Sequence, residues 1–175
     1  VKDEWRKTPG TIEVKSEDES FDYMVNGWYL YQTLSSRIMA KAGFYQVSGA
    51  FGYRDQLQDS MNIAMIKPDV ARNQILINAA HQFPEGDVLH WWHEKNKFGL
   101  RSRYKDDYLW LVYATNYYVN VTGDTAILEE KVPYLIGDKL SDYEHEKGIS
   151  FNYTEEKETL LEHCIKSLQL SMNSL

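Results

Sequence analysis

Apolar side chains recur at helical spacing along most of this chain, and that periodicity constrains its fold class more than any single motif does. Residues 20–42 carry Met24, Trp28, Tyr31, Ile38 and Ala42 at such intervals, and Gly43 supplies a stop. Residues 56–66 read as a short helix. Pro68 then suits the first turn of another, running to about residue 82, because that turn leaves N–H groups unpaired in any case. Residues 106–122, DDYLWLVYATNYYVNVT, start on two carboxylates that favour a helix N-terminus and end at Gly123. Residues 126–135 give a short helix broken near Pro133, and residues 155–172 an amphipathic one with Asn152 as N-cap and Glu155 three positions on. The predicted class is all-α, an array of paired helices joined by alternating short and long connections.

Two stretches fall outside that pattern. Residues 1–19 are polar and read as an entering arm, in which TIEV forms a short strand. Residues 83–105, FPEGDVLHWWHEKNKFGLRSRYK, form a long irregular passage. Loops of that length in a compact domain are usually functional or disordered, and the histidine-tryptophan neighbours argue for a fold over a cleft.

At 175 residues and 43% hydrophobic content the chain is long and apolar enough for one cored domain. Its formal charge of -7 opposes nucleic acid phosphates and anionic lipid, so a neutral substrate is expected, with no nucleic acid and no membrane contact from this segment. No apolar run approaches the roughly twenty residues that span a bilayer. Cys164 is the single cysteine, so an intrachain disulfide is excluded, and a buried thiol in a stripe with Leu161, Ile165 and Leu168 is expected. The 13 Tyr and 5 Trp suit either aromatic helix packing or a sugar-lined cleft.

Residues 43–59, GFYQVSGAFGYRDQLQD, combine glycines, aromatics and hydrogen-bonding side chains between two helical stretches, an inventory that fits a saccharide. Aromatic faces stack on sugar rings, and Arg54, Asp55, Gln56, Gln58 and Asp59 can bond hydroxyls. On a helix Asp55 and Asp59 share a face, with Arg54 placed to pair with Asp55; a structural salt bridge explains that grouping equally well. Asp106 and Asp107 are the candidates for acid chemistry. Adjacent carboxylates can be driven apart so that one keeps its proton and acts as a general acid, the plainer reading being an acidic helix cap.

Asp87, His90 and His93 offer an H-x-x-H spacing but lack the Glu of the H-E-x-x-H motif, and Trp91 and Trp92 suit sugar stacking or core packing. No metal is assigned. Arg37 is either an anion contact or a solvated charge. The chain has no G-x-S-x-G elbow, P-loop or dinucleotide fingerprint, which leaves carboxylate chemistry.

Taken in order, GFYQVSGAFGYRDQLQD, QFPEGDVLHWWH and RSRYKDDYLWLVYATNYYVNVTGD resemble the inverting β-glycoside phosphorylases of glycoside hydrolase family 94. The likeness is nearest to the branch holding cyclic β-1,2-glucan synthases and 1,2-β-oligoglucan phosphorylases. It implies an (α/α)6 toroid, of which residues 20–175 would form the N-terminal portion as a partial barrel. It also implies phosphorolysis with inversion, inorganic phosphate being the co-substrate and no cofactor being required. The family acid lies in the D-D-x-L-W motif, which falls on Asp106 and Asp107, with Asp106 favoured as donor and Asp107 orienting it or binding sugar.

The resemblance further carries donor-sugar binding onto Arg54 and Asp55, and phosphate contact onto Arg37. Asp59, Tyr104 and Trp91 complete the expected substrate-binding set. Tyr104 stands where cellobiose-type members have tryptophan, and SGAFG lacks a further arginine of those members, which favours a β-1,2-glucan-type substrate. Expected partners are a glucan or oligosaccharide and phosphate, with a homodimer of the parent protein left open. The expected compartment is the cytoplasm, an inner-membrane parent being the alternative. A hydrolase on the same scaffold and a non-catalytic glycan-binding module are the competing functions.

Overall fold

A computed structural model describes residues 8, 11, 13–40 and 49–173. It begins with a helical run in which α1 (Glu19–Tyr23) and α2 (Tyr29–Gln32) alternate with π-helical segments at Met24–Trp28 and Thr33–Met39. Asp18 caps the run by accepting from the N–H groups of Ser20 and Phe21. The wider π turns break the 3.6-residue spacing, so the apolar stripe expected of residues 20–42 is not the buried face. Trp28 and Tyr31 are exposed and Leu34 is buried. The Gly43 stop, and residues 43–48 of the glycine- and aromatic-rich segment, lie outside the described residues. Glu13 and Val14 of TIEV are in no strand.

The remaining elements are β1 (Phe51–Gly52), α3 (Tyr53–Ile63), α4 (Pro68–Ala79), β2 (Leu89–His93), β3 (Phe98–Ser102) and α5 (Lys105–Thr122). They are followed by β4 (Lys131–Ile136), β5 (Glu146–Ser150), β6 (Asn152–Thr159) and α6 (Leu160–Asn173). Helices α3 and α4 pack on each other and on α5, which packs in turn on α6. Leu57, Ile63, Ile75, Leu111, Ala114 and Leu160 fill the core between them. The α5 helix closes as expected, with Gly123 in the left-handed region at φ 74° donating its N–H to Val119.

Helices predominate as expected, but the described residues are not purely α: they include two antiparallel sheets, one in the order β1-β2-β3-β5 and one pairing β4 with β6. The passage 83–105 is mostly the β2–β3 hairpin rather than irregular chain. Its base is fastened by Arg101, buried over the Phe83 ring at 3.6 Å and gripping Asp87 through Nε at 2.6 Å and Nη2 at 2.7 Å. The short helix expected over 126–135 is a 3-10 turn at Thr125–Glu129 followed by β4, where Pro133 sits at a register shift. Helix α6 starts later than expected because Thr159 and Glu162, not Asn152 and Glu155, form the capping box. Cys164 is buried as expected and its thiol is pushed up to about 11 by burial, but Leu161, Ile165 and Leu168 beside it on α6 are exposed, so the expected stripe is buried only at the cysteine.

Candidate functional site

Helices α3 and α5 each begin directly after or close behind a strand of the same sheet, which brings their first turns together. Tyr53 and Trp92 anchor this junction. Trp92 is buried, stacked on His81 at 3.9 Å and edge-on to Tyr53 at 6.3 Å and Phe51 at 5.9 Å. Beneath α3, a buried amide chain runs from Gln56 to Gln74 (3.0 Å), from Gln74 to Asn78 (2.7 Å), and from Asn78 to the Tyr53 carbonyl (2.8 Å). Gln56 also donates to the Gly52 carbonyl. Gln56, read from sequence as a hydroxyl contact, is therefore committed to holding the start of α3.

That framework brings together the two motifs singled out in the sequence. Arg54, in the first turn of α3, donates from Nη1 to Asp106 Oδ2 at 2.6 Å, across 52 residues of chain. Both side chains face solvent, at 42% and 54% exposure. The Asp106 bond holds the Arg54 guanidinium above its ordinary pKa, so it stays charged. Asp55 lies back over the helix start, where a Cβ on Gly52 would collide with its Oδ2. The expected Arg54–Asp55 pairing is replaced by the Arg54–Asp106 pair.

Asp107 points the other way. It is 1% exposed, and its Oδ2 accepts from His90 Nδ1 at 2.7 Å. That hydrogen bond is the largest cause of a raised His90 pKa, partly offset by burial. The aim of His90 comes from a bulge in β2: Leu89 pairs with Arg101 while Trp91 already pairs with Leu100. The extra residue lets Leu89 and Trp92 both face the core, although in an unbroken strand residues three apart lie on opposite faces. Sequence reading considered His90 only as a metal ligand. The signal for its bond to Asp107 was the lost alternation in LHWWH.

The other candidates lie around this centre. Tyr104 is the N-cap residue of α5, its ring 4.9 Å edge-on to His90 and its hydroxyl donating to Glu146. Arg37 grips Asp59 in a fork, Nε to Oδ1 at 3.1 Å and Nη2 to Oδ2 at 2.9 Å, joining the first helical run to α3. Trp91 is half-buried against His93 and Phe98. Among the described residues no ring contact or hydrogen bond joins Trp91, Asp59 or Arg37 to the Arg54–Asp106 pair. Asp87, His90 and His93 are dispersed onto Arg101, Asp107 and Trp91 respectively. Among the described residues no group of three or more His, Cys, Asp or Glu could hold a metal.

Residues 4–175 match the catalytic domain of the Glycosyl hydrolase 94 superfamily. The chain belongs to this family. Among proteins similar to it, the cyclic beta-(1,2)-glucan synthase NdvB of Rhizobium meliloti is 43% identical over 97% of this chain and 6% of its own length. The N,N'-diacetylchitobiose phosphorylase of Vibrio proteolyticus is 29% identical over 85% of this chain and 22% of its own length. A cellobionic acid phosphorylase of Neurospora crassa is 31% identical over 77% of this chain and 17% of its own. The chain thus spans less than a quarter of the length of these relatives. Among its described residues no helix is long and apolar enough to cross a membrane.

Proposed function

We propose that this chain supplies the acid and donor-sugar part of a carbohydrate phosphorylase, as a portion of an (α/α)6 catalytic domain. The observation that carries this reading is the 2.6 Å contact between Arg54 and Asp106, which unites the sugar-binding and acid motifs. A glucosyl unit would take hydrogen bonds from Arg54 in place of Asp106, freeing Asp106 Oδ2 to carry a proton towards the glycosidic oxygen. A phosphate oxygen then attacks the anomeric carbon from the opposite face. The C–O bond to the leaving sugar breaks, the departing oxygen takes the Asp106 proton, and a β-glucoside gives α-glucose 1-phosphate.

One protein carboxyl suffices, because phosphate is already an anionic nucleophile and replaces both the water and the general base of inverting hydrolases. The burial of Asp107 supports giving it an orienting role, with Asp106 as the donor. Arg37, Asp55, Asp59, Tyr104 and Trp91 remain the proposed contacts to phosphate and saccharide. Binding of phosphate by Arg37 would require its fork with Asp59 to open. The substrate we favour is β-1,2-linked glucan, consistent with the relative named a cyclic beta-(1,2)-glucan synthase.

The test is incubation of the intact protein that carries this chain with β-1,2-glucooligosaccharides and phosphate, followed by phosphorus NMR. Formation of α-glucose 1-phosphate is expected. Turnover that proceeds equally without phosphate identifies a hydrolase, and sugar affinity with no turnover identifies a binding module.

A further inference from the structure

We propose that His90 is a positioning residue for this site, holding the buried Asp107 carboxylate and through it the helix start that presents Asp106 to Arg54. The inference rests on the phosphorylase reading for its kinetic consequence, but its geometric half stands separately. Asp107 Oδ1 is buried and has no hydrogen-bond partner among the described residues, so the Oδ2 bond to His90 is the contact that compensates this carboxylate. A buried charge held by one partner depends heavily on that partner. The bulge that aims His90 is flanked by Gly99, where an added Cβ would meet the Trp91 carbonyl at 2.7 Å and Leu89 Cδ1 at 2.9 Å. The hairpin is therefore shaped closely around the histidine.

The groups facing His90 are Asp107 and Asp106 from α5, Arg54 from α3, and the Tyr104 ring at the α5 cap. With His90 protonated, Asp107 is neutralised and the Arg54 charge is left to Asp106. When His90 loses its proton, Asp107 becomes an uncompensated negative charge one residue from Asp106 and competes for Arg54. The pair is complete below the ordinary histidine pKa, near 6.5, and is lost as pH rises through the raised folded value. Turnover should accordingly fall on an alkaline limb set by His90.

Two measurements on the intact protein test this. In imidazole nitrogen NMR, His90 should titrate above an ordinary histidine, and Asp107→Asn should bring that titration down. In phosphorolysis, His90→Asn retains an amide donor near the place of Nδ1 but cannot titrate. Being neutral like deprotonated His90, it should show at every pH the reduced kcat of the wild-type alkaline plateau, with no His90 limb and KM nearly unchanged, whereas His90→Ala should lose kcat more than tenfold at pH 6. An unshifted His90 titration that Asp107→Asn does not move overturns the pairing. A His90→Ala variant with wild-type kcat and pH profile overturns the positioning role. A wild type that forms no glucose 1-phosphate sinks the phosphorylase reading and the kinetic half, and the imidazole titration still decides the pairing.

Discussion

The Arg54–Asp106 and His90–Asp107 pairs begin from adjacent residues of α5, yet Asp106 lies in solvent while Asp107 is sealed beneath it under a His90 that is 32% exposed. Asp106 is 54% exposed and Asp107 1% exposed. An exposed pair is screened by water and contributes little to stability, so a ligand can take over one partner at small cost. A buried pair is costly to break because the group left behind keeps its desolvation penalty. The same dipeptide thus divides its labour. Under the proposed function the exposed carboxylate does the chemistry and the buried one sets where the helix start sits.

Asp106→Asn tests the exposed half and carries the largest expected effect. Loss of a general acid should reduce phosphorolysis by about 10²- to 10⁴-fold, with the unfolding midpoint essentially unchanged. Release of α-glucose 1-phosphate by the purified variant is the measurement. Near wild-type turnover would move the acid away from Asp106. The buried half is tested by His90→Ala, which leaves Asp107 without its partner and should cost about 3 kcal/mol of stability. Urea unfolding at pH 6 and pH 9 gives the sign: the penalty is largest at pH 6, where wild type holds the complete ion pair, and shrinks at pH 9 once that pair is lost.

How much of this was legible in the sequence follows from the same contrast between surface and interior. Helices α4 and α5 were readable because local signals coincide with their ends: Pro68 at the first turn, the carboxylates at 106 and 107, and Gly123 at the close. That Arg54 and Asp106 belong to one site was implied by the resemblance, but their direct contact was not expected, since no local rule joins residues 52 positions apart. The hairpin β2–β3 was hidden because the bulge removes period-two alternation from LHWWH. Its turn also places Lys97, rather than glycine or asparagine, at φ 47°. Strand β6 was misread as helix because TEEKET is rich in good helix formers, and its pairing with β4 overrode that preference.

Gly99→Ala sharpens the comparison from the hairpin side. The added methyl would meet the Trp91 carbonyl and Leu89 side chain, and an overpacked site of this kind costs about 1–3 kcal/mol. Because the bulge aims His90, the variant should also lower the His90 titration. A stable Gly99→Ala protein with an unaltered His90 titration would show that the hairpin tolerates more than its spacing implies.

Arg54→Gln, like Asp106→Asn, carries only a small stability effect, and it bears most directly on the contrast. It removes the 2.6 Å bond to Asp106, the shortest Arg–Asp contact at the site, yet both groups are exposed and remain hydrated when separated. The expected cost is below about 1 kcal/mol, read as a small change in urea midpoint that diminishes further in salt. In phosphorolysis the same variant should raise KM for the oligosaccharide while leaving KM for phosphate close to wild type, because the guanidinium is assigned to the sugar. A stability loss as large as that of His90→Ala would mean that the Arg54–Asp106 pair is structural after all. The division between a chemical and a supporting carboxylate would then fail at its first member.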